Sequence, residues 1–144
     1  MSDVVVDSSV VAKWVLPEAD SAQAEHLLLE TTSQGGALLI LDLALVEAAN
    51  AIWKRCHQGL IVLDEARRLL DCLLRIPVRI EPARDLLPSA LHIAVTHDRA
   101  VYDALFVALA EKLGLQGVTA DEPLYTSVRT AFPKVALLRD WRPL

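Results

Sequence analysis

The sequence predicts a three-layer α/β/α fold with a central, mainly parallel β-sheet. Short apolar runs rich in β-branched residues alternate with helical stretches, and no linker, repeat or low-complexity tract interrupts them. Strands that alternate with helices are typical of βαβ units, in which helices cover both faces of a parallel sheet. A chain of 144 residues, 53% of them hydrophobic, can bury one core of this kind. We therefore expect a single domain over residues 1–144.

The N-terminal part predicts one strand and two helices. Residues 4–6 are three consecutive valines, which favour a short buried strand. Residues 7–9 are Asp-Ser-Ser and offer N-cap chemistry to a helix over residues 10–16, which Pro17 ends. A second helix is predicted over residues 21–31, with its first serine or the preceding aspartate as a cap.

The middle of the chain predicts a strand followed by two helices. Residues 37–41 form the next apolar run, and residues 43–57 a long helix with a glycine just past its end. Residues 65–75 predict another helix, capped by Asp64 and stopped by Pro77.

The C-terminal part continues the alternation. Residues 78–80 alternate like a strand, and residues 86–96 are predicted to be helical, with a proline in the first turn. A helix over residues 103–113 stops at Gly114. The remaining predicted elements are a strand at 117–120, a short helix at 123–130 and a last strand at 135–138.

Composition narrows the class of protein. The net charge of −5 argues against a protein that coats nucleic acid without regard to sequence, although it leaves an enzyme acting on RNA open. No apolar run approaches a membrane span of about 20 residues, and the N-terminus lacks the features of a signal peptide, so we expect a cytoplasmic protein without membrane partners. Cys56 and Cys72 have no metal-site spacing and are expected to be reduced thiols in or near the core.

Four acidic residues lie in unusually apolar surroundings. They are Asp7, Glu47, Asp103 and Asp121, hereafter the acidic quartet. Carboxylates rarely enter apolar surroundings without a partner, and four brought together would repel one another unless a divalent cation lay between them. Two of them directly follow predicted strands and two lie near the starts of predicted helices, so all four can face the crevice at the carboxyl edge of the sheet. Hard oxygen ligands of this type suit Mg²⁺ or Mn²⁺.

Each member of the quartet also has a purely structural explanation. Asp7 and Asp103 could be helix caps, Asp121 could be a turn residue before Pro123, and Glu47 could be an exposed helix position. Other chemistries have weaker support. The four histidines have no spacing that pairs them for acid–base catalysis, and no GxSxG elbow is present.

The quartet lies in four motifs that together resemble the PIN domain family. In chain order the motifs are VVVDSSV at 4–10, LVEAANA at 45–51, YDAL with ALAEKLG at 102–114, and VTADEPL at 118–124. At single-domain length the chain is similar to VapC-type toxins of toxin–antitoxin pairs.

This resemblance implies a PIN-like fold and a Mg²⁺- or Mn²⁺-dependent endoribonuclease that hydrolyses RNA, forms a homodimer and is blocked by a cognate antitoxin. It also implies that the acidic quartet forms the metal and catalytic site. The polar residues implied to support that site are Ser8, Ser9, Asn50 and Thr119. The apolar face of the helices at 43–57 and 65–75 is a candidate groove for a partner.

Two other functions are consistent with parts of the pattern. A receiver-like signalling module also uses clustered carboxylates with Mg²⁺, but its acids follow the first and third strands, whereas here one lies in the helix after the second strand. A catalytically inactive PIN-like binding domain is the other alternative, and the intact quartet argues against it.

Overall fold

Five parallel strands form the centre of the computed structural model, which describes residues 2–143. They are β1 (Val4–Val6), β2 (Leu38–Leu41), β3 (Val78–Glu81), β4 (Gln116–Thr119) and β5 (Val135–Leu137). Their order across the sheet is β3-β2-β1-β4-β5, and all four neighbouring pairs are parallel. The α/β class and the five predicted strands are therefore confirmed. The strand order reverses beside β1, which makes the carboxyl ends of β1 and β4 the expected ligand crevice.

Seven α-helices cover the sheet within the described residues. They are α1 (Ser8–Val11), α2 (Ser21–Ser33), α3 (Asp42–His57), α4 (Leu63–Arg75), α5 (Leu87–His97), α6 (Val101–Leu113) and α7 (Glu122–Val128). Short 3₁₀ turns at Ala12–Trp14, Arg84–Leu86 and Leu138–Asp140 extend three of the connections. In this described part, no helix has the length and apolar character that crossing a membrane requires.

The two faces of the sheet bury separate cores because successive strand residues point to opposite sides. Val4 and Val6 belong to one core with α1 and α2, whereas Val5 belongs to the other with α5 and α6. Helix α6 is buried without interruption from Ala104 to Ala110. Its position is therefore set by packing on all sides, and with it the position of the acid in its first turn.

Several predicted helix starts were wrong by one or two residues. The predicted helix at 10–16 is the short α1 followed by a 3₁₀ turn, and Asp7 makes no side-chain cap bond to it. Helix α4 begins at Leu63, so Asp64 is a helical residue and not its cap. Helix α6 begins at Val101, which packs against the core and draws the chain into the helix before Asp103. Among the described residues, Asp121 is the one N-cap whose side chain bonds to its helix, since it accepts from Leu124 N at 3.1 Å.

The cysteine prediction was half right. Both thiols are free, but Cys72 is exposed on α4, and only Cys56 is partly buried. The helical pattern alone did not distinguish the solvent face of α4 from its packed face.

Candidate active site

The four acids predicted to converge all line one cleft of about 380 Å³. A cleft of this size has room for a hydrated ion and a phosphate group. Asp7 directly follows β1 and Asp121 follows β4 by two residues, so both lie at the carboxyl edge of the sheet. Glu47 comes from the second turn of α3 and Asp103 from the first turn of α6. The other lining residues are Ser8, Ser9, Ala12, Lys13, Glu18, Ala51 and Ala120.

Asp7 is held by two hydroxyl groups and by the neighbouring strand. Its backbone N–H donates to Val118 O of β4 at 3.0 Å, which continues the parallel ladder past β1. Ser9 Oγ and Thr119 Oγ1 donate to the same carboxylate oxygen, Asp7 Oδ2, at 2.7 and 2.8 Å. Each hydroxyl has one proton, so both are used on Asp7 and the carboxylate is fixed in rotation.

Those hydroxyl oxygens also accept from the backbone that leads to the fourth acid. Ser9 Oγ accepts from Ala120 N at 3.0 Å, and Thr119 Oγ1 accepts from Asp121 N at 3.1 Å. Thr119 is completely buried, so its two bonds are shielded from competing water. One polar network therefore sets the relative positions of the acids after β1 and β4.

The structure distinguishes among the four residues expected to support the site. Ser8 and Ser9 line the cleft and Thr119 lies directly behind it. Asn50 is exposed on α3 and is not among the cleft-lining residues. Asn50 is three residues beyond Glu47, so the two lie on one side of the helix without Asn50 reaching the cleft.

Burial and neighbouring negative charges raise the pKa of three of the four carboxyl groups. Burial raises the pKa of Asp7, the charge of Asp103 adds to this, and the hydrogen bonds from Ser9, Thr119 and the Ser8 backbone oppose it. Burial also raises the pKa of Glu47. The charge of Asp7 raises it further, by less, and a hydrogen bond from Ser8 lowers it.

Asp103 has a partly compensating cation. Burial and the charge of Asp121 raise the pKa of Asp103, while Arg99 lowers it without reversing the shift. Arg99 Nη2 lies 3.4 Å from Asp103 Oδ2, and Arg99 Nε is buried without a hydrogen-bond partner among the described residues. This arginine was not predicted from the sequence. The signal was its spacing of four residues before an acid of the quartet.

The donor set fits a hard divalent cation. Its side-chain ligands would be carboxylate oxygens, the type that Mg²⁺ and Mn²⁺ prefer. In the described part of the chain, no three Asp, Glu, His or Cys groups are close enough to enclose an ion directly. Mg²⁺ usually keeps several waters in its coordination shell, so an open acidic cleft suits it better than a closed cage would.

Histidine chemistry has no place in this cleft, since none of the four histidines lines it. Three of them pack against aromatic rings elsewhere: His26 on Trp141, His57 on Trp53 and His97 on Phe132.

The raised pKa values predict how the stability of the metal-free protein depends on pH. Below the ordinary carboxyl pKa values, 3.8 for Asp7 and Asp103 and 4.5 for Glu47, these groups are protonated in both the folded and the unfolded chain, and the shifts cost nothing. As pH rises from there to the raised folded values, the unfolded chain releases these protons first, so the quartet's contribution to the free energy of unfolding falls. Above the raised pKa values, the free energy of unfolding stays lower by the full amount of this penalty.

Thermal denaturation in EDTA across this window measures the effect. Replacing Asp103 with asparagine is expected to reduce the destabilisation on raising the pH, whereas replacing the exposed Asp64 in the same way is not. A pH dependence equal in the parent and in Asp103→Asn would contradict the electrostatic account.

Comparison with known proteins identifies the fold and its relatives. The model of the family described as "PIN domain" matches residues 4–126. The chain is 39% identical over 123 residues to "Ribonuclease VapC3" of Pyrobaculum aerophilum, covering 84% of this chain and 91% of the relative. It is 34% identical over 102 residues to "Exonuclease VapC9" of the same organism, covering 70% of this chain and 74% of that protein.

A solved structure shares the architecture at lower identity. The crystal structure of Mycobacterium tuberculosis VapC20, titled a sarcin-ricin loop cleaving toxin, superimposes with a TM-score of 0.67 at 23% identity. The match covers 87% of this chain and 95% of that one.

Proposed function

The chain belongs to the PIN domain family, and we propose that it is a Mg²⁺- or Mn²⁺-dependent endoribonuclease, the toxin of a type II toxin–antitoxin pair. The observation that carries the proposal is the meeting of the acidic quartet in one cleft at the carboxyl edge of the sheet. The names of the two sequence relatives support a nuclease, and the name of the toxin VapC20 supports the biological role.

In this proposal the four acids have different roles. Asp7, Glu47 and Asp103 would hold the main ion, at least partly through water, while Asp121 would complete the site, with a second ion or as an orienter of water. The ion, when bound, polarises the phosphoryl oxygen and lowers the pKa of a coordinated water. Ser9 and Thr119 keep the Asp7 carboxylate in one orientation.

Hydrolysis in this cleft has a defined chemical outcome. Water adds to phosphorus and gives up a proton, the bond to the 3′ oxygen breaks, and the leaving oxygen takes up a proton. The products carry a 5′-phosphate and a 3′-hydroxyl. A ribonuclease that used the RNA 2′-hydroxyl as nucleophile would instead leave a cyclic phosphate.

The proposal is tested with purified protein and a labelled single-stranded RNA. We expect cleavage with Mg²⁺, none in EDTA, and recovery when excess Mg²⁺ is added back. One relative is named an exonuclease, so a circular RNA without ends serves as the second substrate. Cleavage of the circle supports an endonuclease, cleavage of the linear RNA alone supports an exonuclease, and equal cleavage in EDTA overturns metal dependence.

The alternatives find less support. A receiver-like module needs an acceptor aspartate after its third strand, but here β3 ends at Glu81 and Pro82 follows it. An inactive binding domain has no need for four carboxylates, three with raised pKa values, in one cleft.

An antitoxin and a second copy of the chain are the proposed partners. An apolar depression lies between α3 and α4, where the sequence predicts a partner groove, with Trp53 54% exposed and Leu63 60% exposed at its margin. Leu87, Leu91 and Val95 are separately exposed on α5 at a spacing of four residues, so they form one apolar stripe that suits a dimer. These surfaces support the proposal because large exposed apolar side chains at helical spacing are typical of contact sites.

Removing the buried hydroxyl behind Asp7 is expected to weaken the site without removing an acid. Thr119→Val is nearly isosteric, but it deletes the donor to Asp7 and leaves Asp121 N without its acceptor. Losing such an outer-shell partner typically costs 10–100-fold in metal affinity or activity. We expect that loss in Mg²⁺-dependent cleavage, with most activity retained in Thr119→Ser. Full activity in Thr119→Val would contradict the role assigned to the hydroxyl.

A further inference from the structure

One basic side chain lines the acidic cleft, and it is Lys13. Lys13 lies in the 3₁₀ turn Ala12–Trp14, which follows α1 directly. Because α1 carries Ser9, which bonds to Asp7, the position of Lys13 is tied to that of the first acid over a few residues of regular backbone. The next residue is also anchored, since Trp14 Nε1 donates to Ala24 O at 2.9 Å.

The ammonium group of Lys13 is held in place without being saturated. Its side chain is only 12% exposed. Nζ donates to Ala19 O at 2.7 Å and lies 3.6 Å from Glu18 Oε1, beyond hydrogen-bond distance. An ammonium has three protons to donate, and Ala19 O is its only hydrogen-bond acceptor among the described residues.

A second cation shares the same carboxylate. Arg55 Nη2 lies 3.6 Å from Glu18 Oε2 and donates to Pro17 O at 3.3 Å. Lys13, Arg55 and Glu18 therefore form a cluster with one excess positive charge. Partly exposed ion pairs contribute little to stability, so the pairing itself does not explain why a lysine borders the cleft.

The negative charge of an RNA substrate would explain why a lysine borders the cleft. An RNA strand carries a negative charge at every phosphate, and this chain has a net charge of −5 with four carboxylates in the cleft. An ion among the acids can neutralise only the phosphate it touches, and the neighbouring phosphates still meet a negative protein. A fixed cation at the edge of the same cleft removes that repulsion.

We propose that Lys13 is a substrate-contacting residue: its ammonium, anchored by Ala19 O, binds a phosphate of the RNA backbone beside the acidic cleft, in competition with the counter-charge of Glu18, which Lys13 shares with Arg55. This proposal rests on the ribonuclease function proposed above. It also predicts the direction of the strand's path, from the acids across the 3₁₀ turn after α1 towards Arg55.

The competing explanation is that Lys13 merely ties down the connection between the 3₁₀ turn and α2. Replacing either partner of the Lys13–Glu18 pair separates the two explanations. A tether predicts that Lys13→Met and Glu18→Gln act in the same direction, because each breaks the same pair. A phosphate contact predicts opposite directions, because one change removes the cation and the other releases it from its counter-charge.

The test measures RNA binding and cleavage in full-length variants. Binding of a fluorescent single-stranded RNA is followed by anisotropy at several salt concentrations in the Asp7→Asn background, and KM and kcat are measured in chains that keep Asp7. We expect Lys13→Met to weaken binding and raise KM about tenfold, with a smaller change in kcat. The slope of log K against log salt should fall by about 0.7, the value for one lost contact to a single strand. Lys13→Arg should restore most binding, and Glu18→Gln should strengthen it.

Lys134 offers a matched control, because its Nζ also donates to a backbone carbonyl, Gly114 O at 2.9 Å, away from the acidic cleft. Lys134→Met should leave binding, slope and KM unchanged. If the parent cleaves RNA and Lys13→Met equals it in binding and slope, or if Glu18→Gln weakens binding as Lys13→Met does, this proposal is overturned while the ribonuclease function stands. A folded parent that neither binds nor cleaves RNA overturns both.

Discussion

Replacing Asp7 with asparagine is expected to reduce Mg²⁺-dependent RNA cleavage by about a thousandfold or more. A bound metal supplies several kcal/mol of transition-state stabilisation, and each 1.36 kcal/mol is a factor of ten in rate. Asp7 is the acid on which Ser9 and Thr119 both converge, so its carboxylate is the most firmly oriented of the quartet. An amide keeps the size of the side chain and can still accept a hydrogen bond, but it loses the charge that is proposed to hold the ion.

The same substitution should make the metal-free protein more stable at neutral pH. Burial and the charge of Asp103 raise the pKa of Asp7, so a neutral side chain removes a penalty. The free energy of unfolding measured in EDTA should therefore rise, while the rate of RNA cleavage in Mg²⁺ falls. Asp64→Asn, at a side chain 79% exposed on α4, should change neither. Cleavage by Asp7→Asn equal to that of the parent would defeat the assignment of the site.

The fold and the acidic quartet could be predicted because both leave marks in the local sequence. Val4–Val6 is a strand because three β-branched residues follow one another and both faces of the sheet are covered. An acid directly after such a run lies at the carboxyl edge of a parallel sheet whatever the details of the helices. Family motifs then linked Asp7 and Asp121 with Glu47 and Asp103, which a single apolar pattern could not have done.

The remaining features depend on details of the local backbone that residue patterns do not determine. Arg99 pairs with Asp103 because the α5–α6 connection turns back at Asp98, which adopts a left-handed backbone with φ 54°. Lys13 borders the cleft because a 3₁₀ turn replaces the predicted last turn of its helix. Asn50 was assigned to the site by its motif position alone, and the geometry of α3 leaves it in solvent. In each case a small change in local backbone decides where a polar side chain lies.

Gly117→Val is expected to be strongly damaging although it touches no acid. A Cβ at Gly117 of β4 would lie 2.9 Å from Phe106 Cζ and 3.1 Å from Ala110 Cβ, both on α6. Phe106 is only 2% exposed and cannot move aside, so α6 would have to lift from the sheet. Overpacking costs about 1–3 kcal/mol, and valine adds two further methyl groups to the clash. A loss of about 3 kcal/mol corresponds to a fall in melting temperature of about 6–12 °C.

The damage should extend to activity because α6 carries Asp103 while β4 leads to Thr119 and Asp121. Lifting α6 separates these groups, so cleavage should fall even at temperatures where the variant is folded. Gly114→Ala is a useful comparison: its φ of 66° strains alanine, but an added Cβ meets nothing within 4 Å. It should lose stability and keep its activity. Shrinking Phe106 to leucine in a chain with Gly117→Ala should recover cleavage. A Gly117→Val protein with the parent's melting temperature and cleavage rate would show that close packing of α6 on β4 does not position the site.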